Sequence, residues 1–225
     1  THRPAHYPRS CWPCSTASGC RPPRYTVSVP ALAAHPRLSY TEYLAFEEQA
    51  ELRHEFCEGV VLAMAGGTGA HARLKTNLTG LVHTALKGRP CQPRDADQRV
   101  RVVETDLSTY PDLSVVCGPR VPAADDPHAL TNPTVIFEVL SKGTAAYDAG
   151  EKFDHYARLP SLQQYVLVDS ERVHVYVYTR GEGGTWVRMG HAEGEQVPLR
   201  SVDIVLSMAE IYEGWAEERV IDAGG

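Results

Sequence analysis

Two acidic residues lie in segments that otherwise contain almost only apolar residues. Asp112 follows Pro111 and opens an apolar run, and Glu138 lies between Phe137 and Val139 in the next run. A carboxylate in such a run is costly to bury unless a cation pairs with it or it holds a metal ion. The alternatives are a simple Pro-Asp turn for the first residue and an edge-strand position for the second.

A lysine with two companions follows these carboxylates. Asp148, Lys152 and Tyr156 are spaced four residues apart, so a helix would carry all three on one face. If that face packs on the apolar segments, the Lys152 ammonium lies over the carboxylates of Asp112 and Glu138. If it faces solvent, the Asp148–Lys152 pair contributes only about 0.3 to 0.5 kcal/mol. The packing of this helix decides between the two roles.

A glycine-rich segment gives a weaker signal. Residues 67–72 fit a loose dinucleotide-binding pattern between a strand and a helix. That pattern requires an acidic residue at the end of the next strand, whereas Asp95 and Asp97 precede it. A glycine turn that leads into a helix is the favoured interpretation.

The amino-terminal segment holds a possible zinc-binding set. It contains a CxxC pair, one more cysteine and two histidines: Cys11, Cys14, Cys20, His2 and His6. Compact zinc modules normally have two paired ligand sets, and the second pair is missing. Disorder is therefore the favoured interpretation of this segment.

Alternating helices and strands must position the candidate residues. Helical spacing runs over 70–86 and about 147–159, and capping residues predict helices after Thr41 and Ser207. The predicted strands are a hairpin over 54–64 and the segments 98–103, 112–116, 134–140, 164–169, 173–179 and 185–188. Interleaved helices and strands followed by a meander predict an α/β fold with a mixed sheet.

Length and composition limit the class of protein. The 225 residues, 43% of them apolar, predict one domain over 31–218, a disordered tail over 1–30 and a short tail over 219–225. A net charge of −6 excludes a basic coat for nucleic acid. No run reaches the roughly 18 apolar residues of a membrane span, so we expect a cytoplasmic protein without membrane association. The cysteines outside the first tail are predicted to be buried, reduced thiols: Cys57, Cys91 and Cys117.

Several motifs together resemble the Uma-two family of predicted endonucleases, formerly a domain of unknown function, in the PD-(D/E)XK, restriction-endonuclease-like superfamily. The motifs are YTEYL (40–44), HEFCEG (54–59), His71, YPD (110–112), FEVLS (137–141), the segment 148–156 and YVLVD (165–169). The resemblance covers about residues 38–212. It implies a restriction-endonuclease-like mixed β-sheet flanked by helices, with an added β-meander.

The resemblance also implies a cation site. Asp112 and Glu138 would ligate Mg²⁺ or Mn²⁺, the backbone carbonyl of Val139 would be a further ligand, and Glu55 would be an additional acidic ligand. Hard carboxylate oxygens suit these ions. The superfamily lysine stands two positions after the second acid, where this chain has Leu140.

The missing lysine has two possible replacements. Lys152 on the following helix is the one that the family pattern suggests, and Lys142 in the adjoining loop is the second choice. Asp112, Glu138 and Lys152 are therefore the predicted catalytic residues. The predicted supporting residues are His71, Ser141, Asp148 and Tyr156.

A local excess of positive charge bears on the substrate. The segment 71–101 carries seven basic and two acidic residues, a net charge of +5, and is either a surface that follows phosphates or a solvated face. The predicted nucleic-acid-binding residues are Arg73, Lys75, Arg99 and Arg101. We predict a metal-dependent endonuclease that hydrolyses DNA. The alternative is an inactive nucleic-acid-binding or interaction module on the same fold, and the superfamily suggests a homodimer.

Overall fold

The structure, a computed structural model, describes residues 37–64 and 66–224. The predicted tail over 1–30 and its candidate zinc ligands lie outside these residues. The described helices are α1 (Tyr40–Glu47), α2 (Gly69–Leu86), α3 (Ala145–Ala149), α4 (Glu151–Tyr156), α5 (Met208–Ile211) and α6 (Trp215–Gly224). The described strands are β1 (His54–Cys57), β2 (Val60–Ala63), β3 (Cys91–Asp95), β4 (Val100–Val102), β5 (Leu107–Thr109), β6 (Leu113–Cys117), β7 (Val135–Leu140), β8 (Gln164–Asp169), β9 (His174–Arg180), β10 (Trp186–Ala192), β11 (Gln196–Leu199) and β12 (Ile204–Ser207).

The larger sheet carries one candidate carboxylate within β7 and the other directly before β6. Among the described residues its strand order is β10-β9-β8-β7-β6-β3, with β7 and β8 parallel and the other pairs antiparallel. Strand β7 is buried at every position and has a hydrogen-bonded strand on each side. Glu138 is therefore not an edge-strand residue. Helices α3 and α4 lie in the crossover between the parallel strands, which is the connection that parallel pairing requires.

The smaller sheet carries Glu55 on its strand β1. Its strand order is β2-β1-β5-β4, and β1 and β2 form the predicted hairpin with Glu55 opposite Leu62. Helix α1 packs on this sheet through the rings of Tyr40 and Tyr43, which contact the ring of Phe56 in β1. The hairpin is thereby anchored on its apolar side, while Glu55 is 7% exposed.

Helix α2 confirms the predicted helical spacing and the glycine turn. Its buried aliphatic residues join the core against the larger sheet: Leu74, Leu78, Val82 and Leu86. Thr68 caps the first turn by accepting the backbone N–H of His71. The carboxylate of Asp222 in α6 accepts the backbone N–H groups of Gly69 and Ala70, both at 3.0 Å. A protein carboxylate thus fills the position that a phosphate would need in a dinucleotide site.

Several boundaries differ from the predicted ones. Ser39, not Thr41, caps α1, because Ser39 and Glu42 form a reciprocal capping box. The predicted helix over 147–159 is two short helices that meet at Gly150, whose backbone is not helical. Strands β3, β5, β11 and β12 were not predicted. Strand β3 contains Pro93, which is tolerated because β3 lies at the edge of its sheet.

The carboxyl-terminal end is helical where a tail was predicted. Ser207 precedes α5 as expected, but Gly214, at a φ of 71°, separates α5 from a further helix. That helix, α6, continues through Gly224 and so includes residues 219–224 of the predicted tail. No helix in the described part of the chain is long and apolar enough to cross a membrane.

Two of the three predicted thiols are instead bonded to each other. Cys91 and Cys117 lie opposite each other in the antiparallel pair β3–β6 and form a disulfide, with their Cα atoms 3.9 Å apart. The prediction of reduced thiols is wrong for this pair, because only the strand register brings the two residues together. Cys57 is buried, as predicted.

Reducing this disulfide is expected to lower the free energy of unfolding by about 3 kcal/mol, because the bond closes a loop between residues 26 apart in sequence. Guanidinium unfolding with and without a thiol reductant measures the change. The Cys91→Ser, Cys117→Ser double variant should not respond to reductant. A non-reducing peptide map in which Cys91 is alkylated as a free thiol would contradict the assignment.

Candidate active site

The register between β6 and β7 places the two candidate carboxylates side by side. Leu113 pairs with Phe137 in this antiparallel pair, so Asp112, one residue earlier, comes opposite Glu138, one residue later. The backbone N–H of Asp112 donates to Glu138 Oε2 over 3.4 Å, and the backbone N–H of Val139 donates to Asp112 Oδ2 over 2.7 Å. Asp112 and Glu138 therefore lie next to each other, as predicted.

Helix α4 inserts its lysine among three carboxylates. The Nζ of Lys152 lies 2.9 Å from Glu55 Oε1, 3.0 Å from Glu138 Oε1 and 3.6 Å from Asp148 Oδ1. Lys152 is only 5% exposed, so this is not the solvated Asp–Lys pair that the spacing also allowed. Lys142 is exposed. The structure places Lys152, and not Lys142, beside the carboxylates.

Two buried tyrosine hydroxyl groups donate hydrogen bonds to residues of the carboxylate cluster. The hydroxyl of Tyr156 donates to Glu138 Oε1 over 3.0 Å and shares a 2.7 Å hydrogen bond with the hydroxyl of Thr109. Tyr165 donates to the backbone carbonyl of Asp148 over 2.9 Å. Both tyrosines are fully buried. Tyr156 therefore fixes the Glu138 carboxylate, and Tyr165 fixes the backbone at Asp148.

Asp112 is held from its other side by α2. Lys75 Nζ lies 2.8 Å from Asp112 Oδ1, and His71 Nε2 lies 3.5 Å from Oδ2. Burial raises the pKa of Asp112, but the contact with His71 and the charge of Lys75 outweigh burial and lower the pKa to about 2. Asp112 is therefore an anion at neutral pH.

The whole cluster contains more carboxylates than ammonium groups. Burial, together with the nearby carboxylates of Asp112, Asp148 and Glu55, raises the pKa of Glu138 to about 8 against the opposing effect of Lys152. Burial alone would lower the pKa of Lys152, but Glu138 and Glu55 reverse this and raise it well above its usual value. Four carboxylates face two ammonium groups, so full ionisation leaves two excess negative charges: Glu55, Asp112, Glu138 and Asp148 against Lys75 and Lys152.

The donor groups fit a divalent cation that keeps part of its water shell. Among the described residues, no three His, Cys, Asp or Glu side chains form a metal-binding group by themselves. Asp112 and Glu138 nevertheless adjoin, and Mg²⁺ is commonly held by one or two carboxylates and several waters. A divalent cation would also balance the two excess charges.

The predicted nucleic-acid-binding residues divide into two pairs. Arg101 is 3% exposed and pairs with Asp106 and Asp125, and Arg99 pairs with Asp126. The buried guanidinium of Arg101 is held by two carboxylates and does not fit a role in following a phosphate backbone. Arg99 is half-buried and its guanidinium is held by Asp126, so its role in binding nucleic acid stays a prediction.

The second pair lies on α2. Arg73 is exposed and pairs with Glu218 at 3.4 Å, and Lys75 pairs with Asp112. Ser141, predicted to support the site, bonds with Thr144 at the turn before α3. The described contacts do not bring Ser141 to the carboxylates.

Two groups at the site were not assigned to it from the sequence. Thr109, the partner of Tyr156, lies on the unpredicted strand β5 and gives no sequence signal. Lys75 was assigned to nucleic acid rather than to Asp112. Its spacing of four residues after His71 was the available signal, since a helix places both on one face.

The mixed sheet places Asp112, directly before β6, beside Glu138 in the neighbouring strand β7, with Lys152 of α4 against Glu138. The fold is shared with a crystal structure described as a putative nuclease belonging to DUF820 from Anabaena variabilis. The TM-score is 0.66 at 20% identity, and the match covers 79% of this chain and 98% of that one.

The chain belongs to the Uma2 family, whose model, described as "Putative restriction endonuclease", matches residues 40–209. Two proteins of Synechocystis sp. are similar over much of their length. The uncharacterized protein slr1290 is 35% identical over 82% of this chain and 96% of its own length. The uncharacterized protein sll1609 is 33% identical over 67% of this chain and 85% of its own length.

Proposed function

We propose that this protein is a divalent-cation-dependent endonuclease that hydrolyses phosphodiester bonds of DNA. The observation that carries the proposal is the convergence of Asp112, directly before β6, with Glu138 of β7 and Lys152 of α4. Surplus buried carboxylates are destabilising for a fold, so a cluster of this kind is better explained by a cation that it binds.

Each residue has a distinct part in the proposed reaction. Asp112 and Glu138, with the carbonyl of Val139, would hold Mg²⁺ or Mn²⁺. A bound ion of this kind supplies charge neutralisation at the phosphate and a lowered pKa for an attacking water. Lys152 is a positioning residue, because its ammonium holds one oxygen of Glu138 while Asp112 lies at the other. It links Glu55 to the site in the same way.

The choice of DNA rests on the family description and on the surface beside Asp112. Helix α2 carries Arg73 and Lys75 there, with side chains 44% and 30% exposed. Basic side chains at the rim of a carboxylate site would attract a polyanion that the carboxylates alone would repel.

The Asp112→Asn variant tests the proposal. Plasmid and single-stranded DNA are incubated with the protein in Mg²⁺, in Mn²⁺ and in EDTA. We expect cleavage with either ion, none in EDTA, and a loss of about a hundredfold or more in the variant, because a neutral amide is a poor ligand. The control is Asp203→Asn, at an exposed residue with a φ of 51° that asparagine also tolerates. Cleavage that persists in EDTA or in Asp112→Asn would overturn the proposal.

One observation favours a second function, an inactive nucleic-acid-binding module. Both oxygens of Asp112 already have partners, from Lys75 and from the N–H of Val139, and Leu140 occupies the usual lysine position. Salt-dependent DNA binding without cleavage in either metal would support this second function.

A further inference from the structure

Lys75 and Lys152 hold neighbouring carboxylates in very different surroundings. Lys152 is 5% exposed and surrounded by three carboxylates, so its ammonium cannot move into solvent. Lys75 contacts Asp112 at 2.8 Å from the edge of the site, and its side chain is 30% exposed. Only Lys75 can leave its carboxylate for solvent without losing a buried position.

The contact of Lys75 blocks the oxygen that a cation would need. Asp112 Oδ2 already accepts the backbone N–H of Val139, which leaves Oδ1 as the more available oxygen, and Lys75 occupies it. An ammonium and a divalent ion at the same oxygen would repel each other strongly. A cation at Asp112 therefore has to displace Lys75.

We propose that the ammonium of Lys75 holds Asp112 Oδ1 until a divalent cation binds there. The cation then displaces Lys75, and the released ammonium binds a phosphate of the nucleic acid. The proposal rests on the proposed function, in which Asp112 is a metal ligand. Lys75 would then couple the binding of the divalent cation to the binding of the phosphate. Metal frees Lys75 for phosphate, and phosphate, by holding Lys75, frees Asp112 for metal, because coupling between two binding sites is reciprocal.

The first test is the metal affinity of the Lys75→Met variant without DNA. Mn²⁺ binding is measured by calorimetry or by electron paramagnetic resonance on the full chain. We expect affinity about tenfold higher than in the wild type, because the competing ammonium is gone. Lys87→Met, at the exposed residue directly after the carboxyl-terminal end of α2, removes an equal charge and should change affinity less than about twofold. Lys75→Gln is a second variant that keeps a polar side chain.

The second test separates this role from that of an ordinary phosphate-binding lysine. Binding of a labelled phosphorothioate duplex is measured by fluorescence anisotropy in EDTA and in Mn²⁺. We expect Lys75→Met to weaken binding about fivefold or more in Mn²⁺ but less than about twofold in EDTA, where Asp112 already holds the ammonium. An equal loss under both conditions would overturn the proposal.

The outcomes also distinguish this proposal from the proposed function. If Mn²⁺ binds the wild type and Lys75→Met equally well while cleavage still depends on Asp112, the exchange is wrong and the endonuclease assignment stands. If neither protein binds Mn²⁺, both proposals are wrong. Raised Mn²⁺ affinity in Lys75→Met together with metal-dependent loss of DNA binding supports the exchange.

Discussion

Replacing Glu138 with glutamine should abolish metal-dependent cleavage and yet leave the metal-free protein at least as stable as the wild type. Activity falls by about a hundredfold or more, because the variant lacks one of two carboxylate ligands. Stability is retained, because glutamine keeps the volume and can still accept the hydroxyl of Tyr156. It also removes one of the two excess negative charges, so the free energy of unfolding is unchanged or raised by up to about 1 kcal/mol at pH 8 in EDTA.

Cleavage assays and guanidinium unfolding on the same preparation measure both effects. Glu193→Gln, at an exposed turn residue, is the matched control and should change neither. Cleavage that survives Glu138→Gln would contradict the ligand assignment. A variant that is clearly less stable than the wild type in EDTA would contradict the argument from excess charge.

The grouping of Asp112, Glu138 and Lys152 could be predicted from buried charge in the sequence. A glutamate inside an apolar run has few stable arrangements, which is why Glu138 could be singled out from composition alone. The i, i+4, i+8 spacing then placed Asp148, Lys152 and Tyr156 on one face, and the structure packs that face on Glu138. These features are local, and local features are encoded in short stretches of sequence.

Features that depend on distant pairing could not be predicted in the same way. The Cys91–Cys117 disulfide depends on the register of β3 with β6, and β3 has too few apolar residues to be recognised as a strand. Local charge predicts Arg101 as a phosphate ligand, whereas its burial depends on Asp106 and on the loop that carries Asp125. Charge density along the chain does not reveal which basic residues have acidic partners in space.

Replacing Lys152 with methionine should be the most destabilising single change in the site. Methionine matches the length of the stem but leaves Glu55, Glu138 and Asp148 buried without their cation. Removing one partner of a buried ion pair costs about 3 to 5 kcal/mol. The cost depends on pH. With Lys152 in place the folded-state pKa of Glu138 is about 8, so this carboxyl stabilises the fold fully below its unfolded-state pKa and loses that contribution as pH rises through about 8. Because the charge of Lys152 lowers this pKa, Glu138 stays neutral to higher pH in the variant, and the two proteins differ through Glu138 from about pH 8 upward.

Lys152→Met should therefore lie closest to the wild type at about pH 6 and fall further below it at about pH 9, as measured by unfolding in EDTA at both values. The double variant Lys152→Met, Glu138→Gln provides the control, because it removes the cation together with one of the charges that needed it. If the lysine stabilises the fold through Glu138, the double variant recovers part of the loss at about pH 9, where wild-type Glu138 is ionised, and the two changes are not additive. Additive losses, or a loss independent of pH, would mean that Lys152 acts through packing, since the packing of a neutral side chain does not titrate.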